Sequence, residues 1–439
     1  MVFEETLSPR RPPAWRVTAI GLMVVGLGAA GLAEEALRRV TLSDALGLAE
    51  RQGFDVLLAD AAVRGAEGDL TAARRLVNPL FSGSYLHSTD VPLDGATTSA
   101  HGYSLALADQ ASLEGIVSGK HSLRVEEAES ALWAARSNRE DALRLLRFQI
   151  AQAFYGVLAA EASETVELEV ADSFARTLEL VQVRYHYGAV SEVDVDRVET
   201  AKLEAEQAVA AARALVSQAR ATLAFLLGGI QPDFEISGTL ESAAPTRLSS
   251  DTKELLAEAV AGRADVRAAR AGLERAEAAL ALARRQRLPD VILSASYGRE
   301  GPDAAPITPP TLGLGASFEL PVLSQRQGEI ARAESDRSAA QVTLNRISAL
   351  VTQDVLSAKA AYLAAQEQVS RMNDRLLDRA RRARDLVRLQ YRAGAISLID
   401  LLDAERTALA VELEYRQDLY SLRAAVAQLE TAMGREVSP

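Results

Sequence analysis

The chain has 439 residues, of which 48% are hydrophobic, 25% are charged and 5% are aromatic, and its formal net charge is −12. The negative charge argues against a nucleic-acid partner, because a protein that binds phosphates needs a basic face. The sequence has no cysteine, which excludes a disulfide, a thiolate metal site and a lipid anchor attached through Cys.

The N-terminus has the pattern of a secretory signal. Arg11 and Arg16 precede an apolar run from Val17 to Leu32. The run is short for a membrane-spanning helix, and Ala33 at its end suits a cleavage site. We predict that residues 1–33 are a signal peptide, and a helix that stays as an uncleaved anchor is the alternative.

Six long helices are predicted after the signal. These regions are rich in Ala, Leu, Arg and Glu, and their apolar residues step by three and four, as Leu143, Leu146 and Ile150 do. The predicted helices cover residues 42–77, 115–187, 192–228, 251–287, 325–392 and 398–433. A helix of about 65 residues is roughly 100 Å long, so it must pack along other helices of similar length.

Two pairs of short strands are predicted between the helices. Apolar residues alternate with small or polar ones after Pro289, from Leu312 to Leu320 and from Tyr103 to Ala108. Transmembrane barrel strands require this alternation. Segments 90–99 and 301–310 are rich in Gly, Pro, Asp and Thr and are predicted to be exposed loops. Four strands cannot close a membrane barrel, which has about eight or more, so we predict that copies of the chain assemble.

The predicted elements occur twice in the same order. Pro79 and Pro289 lie 210 positions apart in similar surroundings, and Gly188 and Gly394 lie 206 positions apart between long helices. Chance matches within Ala-rich helices would not align such landmarks so easily. We predict an internal two-fold repeat, with the signal at residues 1–33, a first repeat at 34–245 and a second repeat at 246–439.

Four motifs lie at the ends of predicted elements in the second half. They are Leu288-Pro289-Asp290, Leu320-Pro321-Val322-Leu323, Tyr391-Arg392-Ala393-Gly394-Ala395 and Asp400-Leu401-Leu402-Asp403-Ala404. In sequence and position these motifs resemble the TolC-like outer-membrane factor family. The resemblance covers nearly the whole chain after the signal, from Thr41 to Gly434.

This resemblance implies a mainly α fold with a small β part. Long antiparallel coiled-coil helices would form an α-helical barrel in the periplasm, and a homotrimer would build a 12-stranded transmembrane β-barrel in outer-membrane lipid. The implied function is the outer-membrane channel of a tripartite efflux or export system. Its partners would be a periplasmic adaptor protein and an inner-membrane pump, and no enzymatic activity or cofactor is expected.

The resemblance also places functional residues near the turns between the long helices. The turn residues predicted to dock the adaptor are Gly188, Ala189, Gly394 and Ala395. Asp400 and Asp403 are predicted to line the channel aperture, since residues three apart share a helical face. Six such carboxylates from three chains would favour cations. For Asp400 the alternative is a helix-start residue stabilised by the helix dipole.

Tyr391 and Asp194 are predicted to gate the aperture. The resemblance implies a hydrogen bond from this tyrosine to the aspartate of the other turn, which would hold the aperture shut. For Tyr391 the alternative is an aromatic residue that packs at a coiled-coil end. This chain has Ile396 where a well-known family member has an arginine, so a salt-bridge lock that needs the arginine is absent or rebuilt.

The cargo is less well defined by the sequence. Residues 325–331 resemble the branch of the family associated with heavy-metal efflux. The four histidines, at positions 87, 101, 121 and 186, are scattered along the sequence, so no metal site is predicted.

Two other classes of protein remain as alternatives. The first is a non-enzymatic envelope scaffold or adaptor built from coiled coils, which would not need the strand pairs. The second is an enzyme, for which the sequence shows neither a Gly-rich phosphate loop nor a nucleophile motif. Asp400 and Asp403 could imitate a glycosidase pair, but neighbours on one helix are poorly placed to flank a substrate.

Overall fold

The computed structural model describes residues 39–93, 96–241, 251–302 and 309–437. Its helices are α1 (Leu42–Gln52), α2 (Phe54–Arg74), α3 (Ser112–Val117), α4 (Lys120–His186), α5 (Glu192–Leu226), α6 (Thr252–Gly262), α7 (Ala264–Arg285), α8 (Gln327–Arg371), α9 (Leu377–Arg392) and α10 (Leu398–Ala432). Its strands are β1 (Arg39–Val40), β2 (Leu80–Leu93), β3 (Ala96–Ala108), β4 (Glu235–Ile236), β5 (Val291–Pro302) and β6 (Thr311–Phe318). The predicted signal peptide lies outside the described residues.

The predicted long helices are confirmed to within a few residues at most ends. α4 has 67 residues and α5 and α10 have 35 each. α8 continues into α9 through a π-helical turn at Met372–Leu376, where the backbone holds one extra residue. None of the helices in the described ranges is both long and apolar enough to cross a membrane.

Three of the predicted helices are each divided by a break, and the one predicted over 115–187 is interrupted at 118–119 between α3 and α4. Gly53 separates α1 from α2, and Arg263 separates α6 from α7. A Cβ at Gly53 would lie 2.6 Å from the carbonyl oxygen of Ala49, so only glycine fits this close approach. Arg263 is buried and its guanidinium binds Asp265 at 2.6 Å and Asp354 at 2.8 Å. Its charge is therefore compensated within the bend.

The four long strands form one antiparallel sheet in the order β2-β3-β5-β6. The prediction of an exposed loop over residues 90–99 is wrong, because β2 extends to Leu93 and β3 begins at Ala96. The β-branched residues of this segment suit a strand. The predicted loop at 301–310 also begins too early, since β5 extends through Pro302 and residues 303–308 lie outside the described part. A separate parallel pair, β1 with β4, was not predicted.

Many of the helices bury apolar residues against α4, and a separate buried cluster lies between α6, α7, α8 and α10. α2, α5, α7 and α10 pack on α4, and α10 also packs on α8 and α9. The predicted heptad positions lie in these contacts, with Leu146, Ile150 and Val157 almost completely buried. A helix as long as α4 thus obtains most of its stability from its neighbours.

A buried ammonium joins the sheet to the helices. Lys120, the first residue of α4, is 2% exposed. Its Nζ donates to Asp290 Oδ1 at 2.8 Å, to the carbonyl oxygen of Leu288 at 2.7 Å and to Glu114 Oε1 at 3.3 Å. Leu288 and Asp290 lead directly into β5, so this contact sets the position of the sheet relative to α4.

We expect Lys120→Ala to lower the free energy of unfolding by about 2–4 kcal/mol, because it leaves two carboxylates and a carbonyl without their donor. We expect a smaller loss of stability than for a fully buried ion pair, because the Asp290 side chain is 57% exposed. Thermal unfolding of the purified protein measures the change. Lys202→Ala is the control, because Lys202 pairs with Glu206 on the surface of α5 and should change stability little. Equal unfolding temperatures for both variants would contradict the structural role of Lys120.

Candidate functional site at the paired helical turns

The two turns between long helices have the same backbone geometry. Gly188 and Gly394 have φ angles of +70° and +76°, in the left-handed region that favours glycine. Each glycine amide donates to the carbonyl three residues earlier, at 2.8 and 2.9 Å, and each following alanine amide donates to the carbonyl five residues earlier, at 2.9 Å. This pair of bonds is the Schellman cap that ends a helix. Ala189 and Ala395 are exposed beside the glycines.

Each turn is followed by the same cap at the start of the next helix. Ser191 and Asp194 bond reciprocally at the start of α5, where Asp194 Oδ2 accepts from the Ser191 amide at 3.2 Å. Ser397 and Asp400 repeat this arrangement at the start of α10, again with 3.2 Å between the amide and the carboxylate. Asp400 therefore accepts cap hydrogen bonds at the start of its helix, and it remains exposed.

Tyr391 lies in the core beneath the turns. Its side chain is 4% exposed, and its Oη has no hydrogen-bond partner in the described part of the chain. Burial raises the pKa of Tyr391, although the nearby Arg184 opposes this effect. The predicted hydrogen bond to Asp194 is thus not formed within one chain. Packing at a helix end describes the environment of Tyr391 here.

Arg184 connects the two turns. Its Nη2 donates to the carbonyl oxygens of Tyr391 at 3.1 Å and of Arg392 at 3.0 Å, and its guanidinium lies 4.9 Å from the centre of the Tyr391 ring. A cation is stabilised at a helix C-terminus, where carbonyls lack partners. A side chain of α4, in the first pair of long helices, therefore caps the C-terminus of α9, in the second pair. Sequence reasoning missed Arg184, because nothing local marks a contact with residues 207 positions away.

Asp403 lines a shallow groove between α5 and α10. The groove has a volume of about 450 Å³ and also contains Asp196, Arg197 and Arg406. Arg406 lies 3.6 Å from Glu204. Two acidic and two basic side chains thus share this groove, and only Asp403 was predicted from the sequence.

Ion pairs between partly exposed arginines and buried glutamates hold the helices together near the turns. Arg388 on α9 donates to Glu405 Oε2 at 2.7 Å and to Ser173 Oγ at 2.9 Å, and so connects α9, α10 and α4. Burial lowers the pKa of Arg388, but the contact with Glu405 outweighs burial and raises it overall. Arg384 and Arg381 bind Glu412 in the same way. Three arginines of α9 thus bind buried glutamates of α10.

Comparison with known proteins identifies the family that has this architecture. The family model for the outer membrane efflux protein family matches residues 45–229 and 255–435, which include both turns. The chain belongs to the outer membrane efflux protein family. The resemblance to TolC-like outer-membrane factors is thereby confirmed, and this efflux protein is an outer-membrane channel rather than a coiled-coil scaffold.

Several relatives and solved structures resemble this efflux protein over most of their length. The cobalt-zinc-cadmium resistance protein CzcC of Cupriavidus metallidurans is 26% identical over 404 residues, 91% of each chain. The outer membrane efflux protein BepC of Brucella suis is 22% identical over 90% of this chain and 85% of its own. The open-state MtrE channel of Neisseria gonorrhoeae has a TM-score of 0.74 at 22% identity, over 90% of this chain and 89% of its own.

We expect Arg184→Ala to accelerate hydrogen exchange of the backbone amides around residues 390–396. Two carbonyls then lose a charged donor, and such a bond stabilises by about 1.5–3 kcal/mol, or roughly 10- to 100-fold in exchange protection. Tyr391→Phe is the matched control, because it keeps the ring and both carbonyls and removes only an unpartnered hydroxyl. Exchange as slow in Arg184→Ala as in the parent would show that the two turns are not held together by this arginine.

Proposed function

We propose that three copies of this efflux protein form one channel, in which each chain contributes β2, β3, β5 and β6 to a twelve-stranded barrel in outer-membrane lipid. The observation that carries the proposal is the segregation of the two sheet faces. Residues that pair across β3, β5 and β6 form rows, and successive rows lie on opposite faces. One row is Leu105, Tyr297 and Leu312, and the next row is Ala106, Ser296 and Gly313. Leu312 is 85% exposed and Leu314 is 93% exposed in the single chain. Lipid on one side and water on the other account for this pattern.

The sheet edges support assembly with further copies. β2 and β6 are the outer strands of the described sheet and each pairs on one side only. In lipid an unpaired edge costs several kcal/mol for each free backbone group, so the edges must pair. Pairing β6 of one copy with β2 of the next closes a ring after three chains in the proposed arrangement.

We propose that the long helices form a tunnel through the periplasm. α4 alone is about 100 Å long at 1.5 Å per residue. An open groove of about 850 Å³ lies along α4 and α5, and its lining includes the apolar side chains of Leu215 and Phe225. These two side chains are 60% and 63% exposed, which supports contact with a neighbouring chain at this surface.

The chain organisation is part of the same proposal. Residues 1–33 would direct export and be removed, and residues 34–245 and 246–439 would be two copies of one structural unit. The order of helices and strands before and after residue 245 supports this division.

We propose that cargo enters at the turn end of the tunnel from a periplasmic adaptor and an inner-membrane pump. The matching, exposed turns at Gly188 and Gly394 support docking there. The similarity to CzcC favours divalent metal cations as cargo. Acidic side chains near the aperture suit such cations.

Charged substitutions at the turns test the docking proposal. We expect Ala189→Glu combined with Ala395→Glu to abolish efflux in cells that contain the cognate adaptor and pump, because both side chains lie on the exposed docking surface. Ala189→Ser with Ala395→Ser is the matched control and should retain efflux. Cross-linking of both purified proteins should stop at three chains. Full efflux by the double Glu variant would refute docking at the turns, and a monomer would refute the trimer.

Neutral substitutions at the aperture test the role of Asp400 and Asp403. We expect Asp400→Asn with Asp403→Asn to reduce cation selectivity and block by a trivalent cation in single-channel recordings, because the ring of negative charge is lost. Folding should be preserved, since an asparagine oxygen can still accept the cap hydrogen bond. Asp44→Asn is the control, because Asp44 forms the same cap with Thr41 at the start of α1. Unchanged selectivity in the double variant would show that both acids act only at the helix start.

A further inference from the structure

The helices that lead into the two strand pairs each end at two consecutive arginines. These are Arg74-Arg75 where α2 ends and Arg284-Arg285 where α7 ends. The first arginine of each pair binds a glutamate of a neighbouring helix, with Glu129 at 2.7 Å from Arg74 and Glu334 at 2.9 Å from Arg284. The second arginine of each pair is exposed, and it forms no ion pair within the described residues. Both halves of the chain thus present an unpaired cation beside the sheet.

Two further arginines lie at the base of the strand pair β5–β6. Arg287 lies four residues before β5 and is exposed, and Arg326 directly precedes α8. Both line a groove of about 650 Å³ between the segment that enters β5 and the segment that leaves β6. The acidic residues of this groove are Glu319 and Asp290, and Asp290 already binds Lys120 at 2.8 Å. The groove therefore carries a net positive charge.

Exposed apolar side chains lie beside these arginines. Leu288 follows Arg287 in the sequence and is exposed. Val322 and Leu323 line the same groove and are 79% and 98% exposed. Apolar side chains next to guanidinium groups are typical of a membrane interface, where the apolar part enters the hydrocarbon and the charge stays among the headgroups. A groove with both features fits an amphipathic ligand that has a negatively charged headgroup.

We propose that Arg75, Arg285, Arg287 and Arg326, together called the basic collar, bind anionic phospholipids of the leaflet on the helical side of the sheet. This inference rests on the proposed placement of the sheet in outer-membrane lipid. The phosphates bind the guanidinium groups, which can each donate two parallel hydrogen bonds. The acyl chains lie along the apolar side chains of the groove and continue onto the apolar face of the sheet.

Distances along the chain place the basic collar at the level of the headgroups. The apolar face of the sheet begins at Val291 and Phe318, which are register partners. Arg287 lies four residues before Val291, or at most about 14 Å of extended chain. A headgroup layer is about 5–8 Å thick on each side of the hydrocarbon core, and the long arginine side chain covers the remaining distance. Phosphates of this leaflet are therefore within reach of the basic collar.

Native mass spectrometry of the purified full-length protein in detergent tests the basic collar. The probes are phosphatidylglycerol and phosphatidylcholine with the same acyl chains. We expect the parent to retain phosphatidylglycerol preferentially. In a triple variant with Arg75→Gln, Arg285→Gln and Arg287→Gln, this preference should fall roughly fivefold for each arginine removed.

Two control variants accompany the triple Gln variant. Lys at the same three positions keeps the charge and should keep most of the preference for phosphatidylglycerol. Arg346→Gln should leave the preference unchanged, because Arg346 is exposed on α8, about 29 Å from the first residue of that helix. Equal preference in the parent and in the triple Gln variant would overturn the assignment.

Spin-labelled lipids in reconstituted membranes separate this inference from the channel proposal. Electron paramagnetic resonance measures the fraction of each lipid that the protein immobilises. We expect the parent to immobilise more spin-labelled phosphatidylglycerol than spin-labelled phosphatidylcholine, and high salt to reduce the difference, because it screens exposed charges. A parent that does not enter the membrane would refute the placement of the sheet in lipid. A parent that enters the membrane and immobilises both lipids equally would overturn the basic collar alone.

Discussion

Close packing along α4 is the constraint on which the other elements depend. A helix of 67 residues cannot bury its own apolar stripe, so each buried position needs a neighbouring helix. Many of the buried residues that supply these contacts are small, among them Ala151, Ala201, Ala205 and Ala212. Small side chains let helix axes approach each other closely. This packing fixes where the turns, the sheet and the buried ion pairs lie along α4.

Periodicity in the sequence was sufficient to predict most of this framework. The last helix was expected at 398–433 and is observed at Leu398–Ala432, because apolar residues recur at helical spacing up to Gly434. The bends at Gly53 and Arg263 could not be predicted, since one depends on a backbone contact with Ala49 and the other on a buried charge that Asp354 compensates. A two-residue strand such as β1 is too short to show any period.

The candidate site was predictable where its signals are local. Glycine between two long helical patterns indicated the position of each turn. The contacts of Arg184 with Tyr391 and of Arg388 with Ser173 join residues more than 200 positions apart, and only the folded chain brings them together. The turn that has Ile396 instead of an arginine is contacted by Arg184, which reaches it from the other pair of long helices.

The π-turn at Met372–Leu376 acts as a phase shift in the helix that leads to the second turn. One extra residue rotates every later side chain by about 100° around the axis. Arg384 and Arg388 follow this turn and face Glu412 and Glu405 on α10. In a regular helix of the same sequence, both guanidinium groups would be directed more than a quarter of a circle away. The long helix α4 of the first half has no such turn. In the second half, the ion pairs between α9 and α10 depend on the extra residue in the π-turn.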